Sequence, residues 1–571
     1  MDRRAKIIAT LGPATNTEDQ IASLIRNGMD VARLNMSHGT HHEHAKTIAN
    51  VRNASRREGR EVALLLDLQG PKIRVGHLDE PLKLKAGEQW AIVPDGSEGG
   101  WLQAFAGHII PTTYRGLAKD VQKGQRVLFD DGTLLAHAVE SNKRALIIKI
   151  AHGGVLKSHK GINLPDSQIS APSLTKKDQQ DLFFGLRHGI DYVALSFVRS
   201  ARCLRNVKYM LHERGLSLPV VAKIERPEAI ENIEEIIAVS DVVMVARGDM
   251  AVEVGNHKVP ALQRHIIRLC RREGTMVITA TQMLESMIHN PVPTRAEATD
   301  VANAIWDGTD AVMLSAETSV GSYPSETVAT MSQLVREAEH FPRDLPIKTS
   351  AYSISAAAMK ASARLAEEVN AKWIISLTSS GNSCWEIARY RPAIPVLGVG
   401  RTIEAVRRMA LYWGITPALF DLDEQSHPDL DEEALLFLQE SGQIVQGDKV
   451  VLTDSGSHVA TRGSSSTIRV EIVKGSGDDQ DGEGEILEEP ISGKGMVRID
   501  LSRCVACQNC VAACPHEIWF REEGGNSLPK IHDKHVDACS LDEACVRLCP
   551  TQAIQIEKSE DLEKYREEEG C

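Results

Sequence analysis

The chain has 571 residues, too many for one hydrophobic core, so three or more domains are expected. Its 42% hydrophobic and 25% charged residues are typical of a soluble globular protein, and no apolar run reaches the roughly 20 residues of a membrane span. The net charge of −13 lies almost wholly in residues 476–571, which carry 22 acidic and 10 basic side chains. This acidity argues against a nucleic-acid partner.

The N-terminus and the cysteines predict a cytoplasmic location. The segment MDRRAKIIATLGP runs from two arginines straight into a strand-like stretch and lacks the apolar core of a signal peptide. Cys203, Cys270 and Cys384 are scattered over the first 475 residues, as in proteins of a reducing compartment. The other eight cysteines fall between Cys504 and Cys571, which indicates a separate module.

Short apolar segments alternate with helical patterns along the first part of the chain. In order they are KIIATLG, DVARLNM, VALLLDL, DYVALSFV, VVAKIE, VVMVARGD, MVITATQM and AVMLSAE. Runs rich in Val, Ile and Leu that are followed by helices are typical of parallel βα units. We therefore predict an α/β fold with a (β/α)8 TIM barrel formed by residues 1–74 and 159–345, whose chemistry lies at the C-terminal strand ends.

The sequence pattern changes between residues 75 and 158 and again after the barrel. GEQWAIVPDG, KGQRVLFDDGTLLAHAV and ALIIKIAHGG are alternating strands with Asp-Gly turns, which predicts a small β-barrel domain at 75–158, inserted after the third barrel strand. WIISLT, IPVLGVG and KVVLTDSG predict a C-terminal α/β domain at 346–475. Residues 476–495 have the composition of an acidic flexible linker, and 496–571 form the last module.

Polar residues at the strand ends predict one shared site at the mouth of the barrel. On the fifth strand Lys223 and Glu225 are two residues apart and point the same way. Glu225 and Asp249, on adjacent strands, can hold a Mg²⁺ that takes its other ligands from water and substrate. Lys223 would neutralise charge on a phosphoryl group in transit.

The other strand ends complete a site for an anionic, phosphorylated substrate. Any one of these polar residues could simply form a salt bridge at the rim of the barrel, but their combination favours a binding site. They are Arg33, Asn35, Ser37 and His38 on the second strand, Asp67 on the third, and Thr281 and Ser315 on the seventh and eighth.

Residues 1–475 resemble the pyruvate kinase family in the order and spacing of several segments. These are KIIATLGPAT, DVARLNMSHGTHHEH, KGINLPD, DYVALSFVRS, AKIERPEAIENI, MVARGDMAVEV, TATQMLESM and PTRAEATDVANAIWDGTDAVMLSAET. The resemblance implies transfer of phosphate from phosphoenolpyruvate to ADP, giving pyruvate and ATP in glycolysis. It also implies Mg²⁺ or Mn²⁺ as cofactor, a homotetramer, and an inserted β-domain that closes as a lid and excludes water.

The resemblance also implies roles for individual residues. Arg33 should bind the phosphate being transferred, which Lys223 should stabilise, and the Gly248 amide should help hold the substrate carboxylate beside the metal ligand Asp249. Thr281 should lie on the face where the enolate is protonated. Further implied residues are Ser315 for the proton relay, Glu225 for the metal, and Asn35, His38, Arg74 and Lys160 for the nucleotide.

One departure from the family pattern concerns the monovalent cation. Family members that require K⁺ have a glutamate after the third strand, where this chain reads DLQGPKIR with Lys72, and Leu68 replaces the usual threonine. A lysine ammonium beside Asn35, Ser37 and Asp67 would supply the positive charge that K⁺ otherwise brings. By resemblance to members with lysine here, K⁺ independence is predicted.

The segment TSSGNSCWEIARYRP in the third domain lies after a strand and before a helix, as a phosphate-binding loop does. It resembles the loop that binds sugar-phosphate activators in the family, so a sugar-phosphate or nucleotide effector is expected. The alternative is an N-cap cluster without a ligand. The loop residues are Thr378, Ser379, Ser380, Gly381 and Ser383.

The C-terminal module, residues 496–571, has the cysteine pattern of bacterial two-cluster ferredoxins and is predicted to be an appended α+β ferredoxin-like domain. RCVACQNCVAACPHE contains the C-x2-C-x2-C-x3-C-P run, whereas zinc sites usually use separated cysteine pairs. Because the fourth cysteine of each run serves the other cluster, one [4Fe–4S] cluster is assigned to Cys504, Cys507, Cys510 and Cys549. Cys514, Cys539, Cys545 and Asp542 remain for a second cluster.

Asp542 stands where the second run, ACSLDEACVRLCP, would have its second cysteine. A carboxylate is a harder ligand than a thiolate, so the second cluster is expected to be [3Fe–4S], or [4Fe–4S] with a labile iron on Asp542. The alternative is that only the first cluster forms. Redox sensing, electron transfer to a partner protein and a structural role all remain open for the module.

Two other functions are alternatives for the barrel. One is a barrel that has lost catalysis, which the intact Lys223, Glu225, Asp249 and Thr281 argue against. The other is an aldolase or lyase acting on phosphoenolpyruvate or pyruvate, which the nucleotide-contact residues and the inserted domain argue against.

Overall fold

The computed structural model describes residues 3–97, 108–142, 144–341, 353–420, 430–454, 467–474, 486–491, 495–500, 519–520, 530–531, 545–546, 549 and 553–558. The chain divides into two compact units, one of residues 1–434 and 449–471 and the other of residues 435–448 and 472–571. Among the described helices, none is long and apolar enough to cross a membrane.

The strands and helices are numbered in chain order. The strands are β1 (Lys6–Thr10), β2 (Val31–Asn35), β3 (Ala63–Asp67), β4 (Leu82–Leu84), β5 (Gln89–Pro94), β6 (Ile109–Thr112), β7 (Arg126–Phe129), β8 (Leu134–Ser141), β9 (Leu146–His152), β10 (Gly154–Leu156), β11 (Ile162–Asn163), β12 (Tyr192–Leu195), β13 (Val220–Ile224), β14 (Val242–Ala246), β15 (Met276–Ala280), β16 (Ala311–Leu314), β17 (Trp373–Thr378), β18 (Val396–Gly400), β19 (Ile415–Leu419), β20 (Lys449–Asp454), β21 (Thr467–Ile472), β22 (Ile486–Ile491), β23 (Gly495–Asp500), β24 (Trp519–Phe520), β25 (Lys530–Ile531) and β26 (Ile554–Lys558). The α-helices are α1 (Glu18–Asn27), α2 (His41–Arg57), α3 (Leu117–Asp120), α4 (Lys176–Arg187), α5 (Ala201–His212), α6 (Pro227–Glu231), α7 (Ile233–Val239), α8 (Arg247–Val254), α9 (Val259–Glu273), α10 (Arg295–Asp307), α11 (Ala316–Ser319), α12 (Pro324–His340), α13 (Ile354–Glu368), α14 (Asn382–Arg389), α15 (Ile403–Met409) and α16 (Leu430–Glu440).

The predicted (β/α)8 barrel is confirmed. Eight parallel strands close in the order β1-β16-β15-β14-β13-β12-β3-β2, and they are the eight apolar segments of the sequence. Nearly every strand residue is buried, because side chains pack inside the barrel on one face and against helices on the other. Parallel pairing brings strand ends to one rim, so that Asn35 and Ala194 lie beside Asp67.

Helix boundaries follow from local capping. Thr17 and Gln20 form a capping box at the start of α1, and Thr294 and Glu297 form one at the start of α10. Gly308 follows α10 as its C-cap, and its φ of 98° lies in the left-handed region that glycine adopts without strain. These short-range signals place the helices that connect successive barrel strands.

The inserted β-domain lies between β3 and β12 in the chain, as predicted. A six-stranded sheet in the order β11-β7-β8-β9-β5-β6 is accompanied by the pair β10-β4. The Asp-Gly turn between β7 and β8 has positive φ at Asp130, Asp131 and Gly132. Buried Trp90 and Phe129 belong to the hydrophobic core of this domain.

The C-terminal α/β domain contains a five-stranded sheet in the order β19-β18-β17-β20-β21. The three strands predicted from the sequence are β17, β18 and β20, at the centre of the sheet. The two edge strands were not predicted, because β19 contains Pro417 and β21 alternates polar with apolar residues. The exact domain boundaries given above stay predictions.

The second unit contains an antiparallel sheet in the order β22-β23-β26 and the short pair β24-β25. Strand β22 falls within residues 476–495, so the prediction of a flexible linker is wrong for residues 486–491. Ile486 pairs with Asp500 and Ile491 with Gly495. Backbone pairing depends on the peptide groups rather than on side-chain charge, so an acidic segment can still join a sheet.

Candidate active site

Buried ionic groups from three barrel strands meet at the C-terminal rim. Arg33 on β2 donates from Nε to Asp67 Oδ2 at the end of β3, over 2.8 Å. Lys223 Nζ on β13 lies 3.2 Å from Asp67 Oδ1 and 2.9 Å from Glu225 Oε1. All four side chains are buried. The structure thus brings together the cation and carboxylate residues that the sequence predicted.

The pKa shifts within this cluster favour the charged forms of Lys223 and Asp67. Burial would raise the pKa of Asp67, but Lys223 and Arg33 outweigh burial and hold it below its usual range. Burial would lower the pKa of Lys223, but Asp67 and Glu225 raise it above the usual lysine value. Burial raises the pKa of Glu225, against the opposing effect of Lys223. A permanent ammonium therefore faces the mouth of the barrel.

Two strand ends that the sequence-based prediction omitted also contribute. Lys223 Nζ donates to Ser196 Oγ over 2.7 Å, and Ser196 Oγ donates to the Leu68 carbonyl. Arg33 donates to Thr10 Oγ1 over 2.9 Å. Thr10 ends β1 and Ser196 follows β12, so the strand-end rule applied to all eight strands would have found both.

The carboxylates fit a divalent cation. Glu225 Oε2 accepts the Phe197 amide over 2.8 Å, whereas buried Glu225 Oε1 faces the Lys223 ammonium at 2.9 Å and accepts no well-aligned hydrogen bond from the described residues. Asp249 follows β14, the neighbouring strand, and is 32% exposed, so it is open to water and substrate. The described residues contain no cluster of three or more metal-binding side chains. A pair of carboxylates with open positions suits Mg²⁺.

The turn after β15 has a constrained backbone. Thr281 and Gln282 have positive φ angles of 68° and 53°, which are uncommon for residues other than glycine. The Arg247 guanidinium donates to the carbonyls of both residues and pairs with Asp300 at 2.7 Å. This support places Thr281 Oγ1 where it accepts the Gly248 amide over 2.8 Å. Arg247 had no role assigned from the sequence, because its partners depend on the fold.

Ser315 begins the loop after β16. Its amide donates to Glu317 Oε2 over 2.7 Å, and Glu317 Oε1 also accepts the Leu284 amide. The Ser315 Oγ atom is buried and has no hydrogen-bond partner within the described part of the chain. The hydroxyl is therefore available to another group.

The predicted nucleotide contacts lie between the barrel rim and the inserted domain. Lys160 pairs with Asp130 at 2.8 Å, and Arg74 donates to the His159 carbonyl. Burial lowers the pKa of His38, and Arg74, Lys72 and Arg33 lower it further, so His38 lies within the field of these cations.

Lys72 also approaches a carboxylate that was not named for it from the sequence, and its place beside Asn35, Ser37 and Asp67 stays a prediction. Its Nζ lies 3.9 Å from Asp249 Oδ1, whereas Asn35 Oδ1 accepts the Ser37 amide and Asp67 pairs with Arg33 and Lys223. The ammonium therefore adds positive charge beside Asp249, a candidate metal ligand.

A cleft of about 490 Å³, including its opening to solvent, lies between the inserted domain and the barrel. Buried Arg226 and Glu253 lie on its wall and form an ion pair at 3.0 Å. Glu253 also accepts from Asn163 of the inserted domain, and Arg226 donates to the Leu164 and Ser167 carbonyls. This network joins the inserted domain to the barrel.

Glu253→Ala should reduce the free energy of unfolding by about 3 kcal/mol, because it removes the buried partner of Arg226. A fall in the midpoint of thermal unfolding measures the loss. Glu228→Ala is the matched control, since Glu228 also pairs with Arg226 but is 21% exposed. Equal effects of the two substitutions would contradict this prediction.

The predicted effector loop precedes α14. The Gly381 amide donates to Thr378 Oγ1 over 2.9 Å, and Ser376 donates to Ser383 over 2.8 Å. Gly381 is the N-cap residue, and no side chain caps the helix, which differs from the alternative of an N-cap cluster. Ser379 is exposed and Ser380 half-buried, so both are accessible to a ligand.

Most of the predicted iron–sulfur ligands, namely Cys504, Cys507, Cys510, Cys514, Cys539 and Asp542, lie outside the described residues. Cys545 is buried and Cys549 is half-buried. The Ala553 amide donates to Cys549 Sγ over 3.3 Å. An amide that donates to sulfur is the kind of contact that tunes a thiolate-bound cluster, and the role of Cys549 as a ligand stays a prediction.

Three family models match successive parts of the chain. The family model of the pyruvate kinase barrel domain matches residues 2–328, and that of the pyruvate kinase alpha/beta domain matches residues 356–471. A third model, the 4Fe-4S binding domain, matches residues 497–520, which include the first cysteine run.

Individual proteins show the same similarity. A pyruvate kinase of Corynebacterium glutamicum is 43% identical over 84% of this chain and 99% of its own length. A pyruvate kinase of Geobacillus stearothermophilus is 40% identical over 83% of this chain and 81% of its own length. The crystal structure of a pyruvate kinase from Cryptosporidium parvum superposes with a TM-score of 0.74 at 34% identity, covering 82% of this chain and 96% of that one.

Proposed function

We propose that this chain, which belongs to the pyruvate kinase family, transfers the phosphoryl group of phosphoenolpyruvate to ADP at the mouth of its barrel. The buried cluster of Arg33, Asp67, Lys223 and Glu225 is the observation that carries the proposal. A permanent cation held by two carboxylates can neutralise the three oxygens of a phosphoryl group as it moves between two acceptors.

Each residue of the rim has a part in this proposal. Arg33 binds the phosphate, and Lys223 stabilises it during transfer. Glu225 and Asp249 would hold a Mg²⁺ or Mn²⁺ ion, which supplies further neutralising charge when bound. The Gly248 amide donates to Thr281 Oγ1 in this structure and would turn to the substrate carboxylate on binding.

Protonation of the enolate and water exclusion involve other residues. Thr281 Oγ1 donates to the Ala280 carbonyl over 2.6 Å in this structure, and on substrate binding its hydroxyl would turn to donate that proton to the enolate, as the first position of a proton path. Ser315 Oγ is the candidate for the next position of that path. Asn35, His38, Arg74 and Lys160 would contact the nucleotide, and the inserted domain would exclude water on closing.

An assay of pyruvate formation from phosphoenolpyruvate and ADP, coupled to lactate dehydrogenase, tests the proposal on the full chain under anaerobic conditions. ATP must form in equal amount, and removal of the divalent ion with EDTA should abolish the reaction. A chain that forms no ATP would overturn the proposal. An aldolase or lyase would consume phosphoenolpyruvate or pyruvate without ADP.

The C-terminal module is proposed to hold two unlike iron–sulfur clusters. The 4Fe-4S family match at residues 497–520 and the amide contact of Cys549 support the first cluster. The second would use Cys514, Cys539 and Cys545 with Asp542. The function of the whole C-terminal module would be redox sensing or electron transfer to a partner protein. Rates of the kinase reaction that are equal before and after cluster oxidation would count against sensing.

Asp542→Cys should convert the second site into a full four-cysteine site. The anaerobically purified chain should hold about seven or eight irons, and the variant should hold about eight and keep them in air. Iron and sulfide analysis with EPR measures both.

Glu543→Cys, at the next position, is the control and should leave the iron content unchanged. Fewer than about five irons per chain would contradict two clusters.

Further parts of the proposal rest on family resemblance. They are a homotetramer, a cytoplasmic location and activation by a sugar phosphate or nucleotide at the loop from Thr378 to Ser383. Ser380→Asp would place negative charge in that loop, and it should abolish activation while preserving the basal rate. Activation retained in this variant would place the effector elsewhere.

A further inference from the structure

A second cationic cleft lies at the opposite end of the barrel strands. It has a volume of about 280 Å³ including its opening, and its walls include Arg271, Asp310, Trp385, Arg389 and Arg391. Asp310 precedes β16, and the segment before β15 also lines the cleft, so the cleft is at the N-terminal rim. The catalytic residues lie at the C-terminal rim.

Residues from two domains line this cleft. Arg271 lies in the last turn of α9 of the barrel. Arg389 ends α14 of the C-terminal domain, and Arg391 follows it. Gly274, at φ 75° after α9, lets Arg389 approach so closely that any side chain there would collide with the guanidinium. The three arginines are therefore held together by the packing of the barrel against the C-terminal domain.

The carboxylates near this cleft do not satisfy the three arginines. Asp310 is the acidic residue on its wall; it pairs with Arg391 at 2.7 Å and also accepts the Val277 amide. Arg389 pairs with Glu386 at 2.6 Å. Glu339 and Arg4 also act on Arg391 with opposite signs, so the cleft keeps more arginines than carboxylates.

Several guanidinium nitrogens in the cleft lack acceptors. Arg391 Nη1 and Arg389 Nε are buried and have no hydrogen-bond partner within the described residues. Arg271 is half-buried and has no hydrogen-bond acceptor in that same part of the chain; its pKa is lowered to about 10, by burial first and then by Arg391, against the opposing effect of Asp310. Leaving buried guanidinium nitrogens without acceptors costs free energy, so this arrangement favours a bound counter-ion.

We propose that this cleft binds a small oxyanion of the phosphate class between the barrel and the C-terminal domain. Arginine donates several N–H groups in a planar fork that matches phosphate oxygens. The cleft is narrow and open to solvent, which favours a small anion, a free oxyanion or a phosphomonoester head group, over a larger organic ligand. The anion would link Arg271 to Arg389 and Arg391.

This site is separate from both phosphate sites described above. The transferred phosphate would lie at Arg33 and Lys223, at the other rim of the barrel. The loop from Thr378 to Ser383 lies at the N-terminal end of α14, whereas Arg389 lies at its C-terminal end, about 12 Å along the helix.

Thermal unfolding of the full chain, purified anaerobically, tests the proposal with inorganic phosphate as the probe. Phosphate is compared with chloride at equal ionic strength, for the wild type, Arg271→Met and Arg268→Met. Arg268 is exposed on the same helix and serves as the matched control. Stabilisation by phosphate at the catalytic site is common to all three proteins and cancels in the comparison.

We expect phosphate to raise the midpoint of the wild type and of Arg268→Met by about 2 °C more than that of Arg271→Met. Without phosphate, Arg271→Met should unfold at the wild-type temperature or above, because the lost charge had no hydrogen bond. An equal phosphate effect in all three proteins, its absence from all three, or its loss from both variants would overturn the proposal. If Arg271→Met does not fold, Arg389→Met serves the same comparison.

Sulfate and glycerol phosphate identify the ligand class. A shift with sulfate that depends on Arg271 assigns the cleft to oxyanions in general. A shift with glycerol phosphate that depends on Arg271 shows that a phosphomonoester head group enters. If inorganic phosphate shifts the unfolding midpoint but neither sulfate nor glycerol phosphate does, the site is restricted to free phosphate.

Discussion

Lys223→Met should lower kcat for the transfer of phosphate from phosphoenolpyruvate to ADP by about 10³-fold or more. The substitution removes the ammonium that lies 2.9 Å from Glu225 Oε1 and 3.2 Å from Asp67 Oδ1. Asp67 keeps its ion pair with Arg33, so the barrel should still fold and Arg33 should still bind phosphate. Steady-state kinetics at saturating phosphoenolpyruvate and ADP measures the effect.

Lys208→Met is the matched control for this prediction. Lys208 also pairs with a carboxylate, Asp241 at 2.8 Å, but it is 36% exposed and remote from the strand-end cluster. Its kcat should stay within about twofold of the wild type, as expected for a surface ion pair. A loss of less than about tenfold in Lys223→Met would mean that Lys223 does not stabilise the group in transfer.

Lys72→Glu should make the kinase reaction depend on K⁺. We expect the wild type to work equally well in K⁺ and tetramethylammonium, whereas the variant should lose activity on the order of 100-fold without K⁺ and recover when K⁺ is added. The new carboxylate would lie near Asp249, whose oxygen is 3.9 Å from Lys72 Nζ, and the repulsion requires a replacement cation.

Lys72→Met is the control that distinguishes the loss of the lysine ammonium from the creation of a K⁺ site by the new carboxylate. It removes the ammonium without adding a carboxylate, so its activity should be low in both salts and K⁺ should not restore it. Strong activation of the wild type by K⁺ would contradict the prediction, and so would a Lys72→Glu variant whose rate is the same in both salts.

The catalytic rim illustrates how far sequence reasoning reaches. Lys223 and Glu225 could be placed on one face of a strand because side chains alternate with a period of two. Ser196 and Thr10 occupy equivalent strand-end positions and were missed only because the same rule was not applied to their strands. Arg247 is different: its acceptors are carbonyls of the next strand's turn, and no local pattern indicates that contact.

In the sheet of the C-terminal α/β domain, the central strands can be predicted from the sequence and the edge strands cannot. Its central strands were predicted because strands covered on both faces are continuous apolar runs, as in KVVLTDSG. The edge strands β19 and β21 carry proline or alternating polar residues, and only pairing with a neighbour reveals them. Strand β22 is likewise revealed only by its pairing with β23, because its acidic composition is that of a linker.

The sequence by itself determined the barrel, the inserted domain, the identity of the strand-end residues and the cysteine spacing of the last module. These properties follow from local periodicity and from ligand spacing, which can be read along the chain. Only the tertiary structure decided which charges meet. Lys72 lies beside Asp249, and Arg271 joins Arg389 and Arg391 in one cleft. Such contacts join residues far apart in the chain, and they depend on barrel closure and domain packing, which no local pattern encodes.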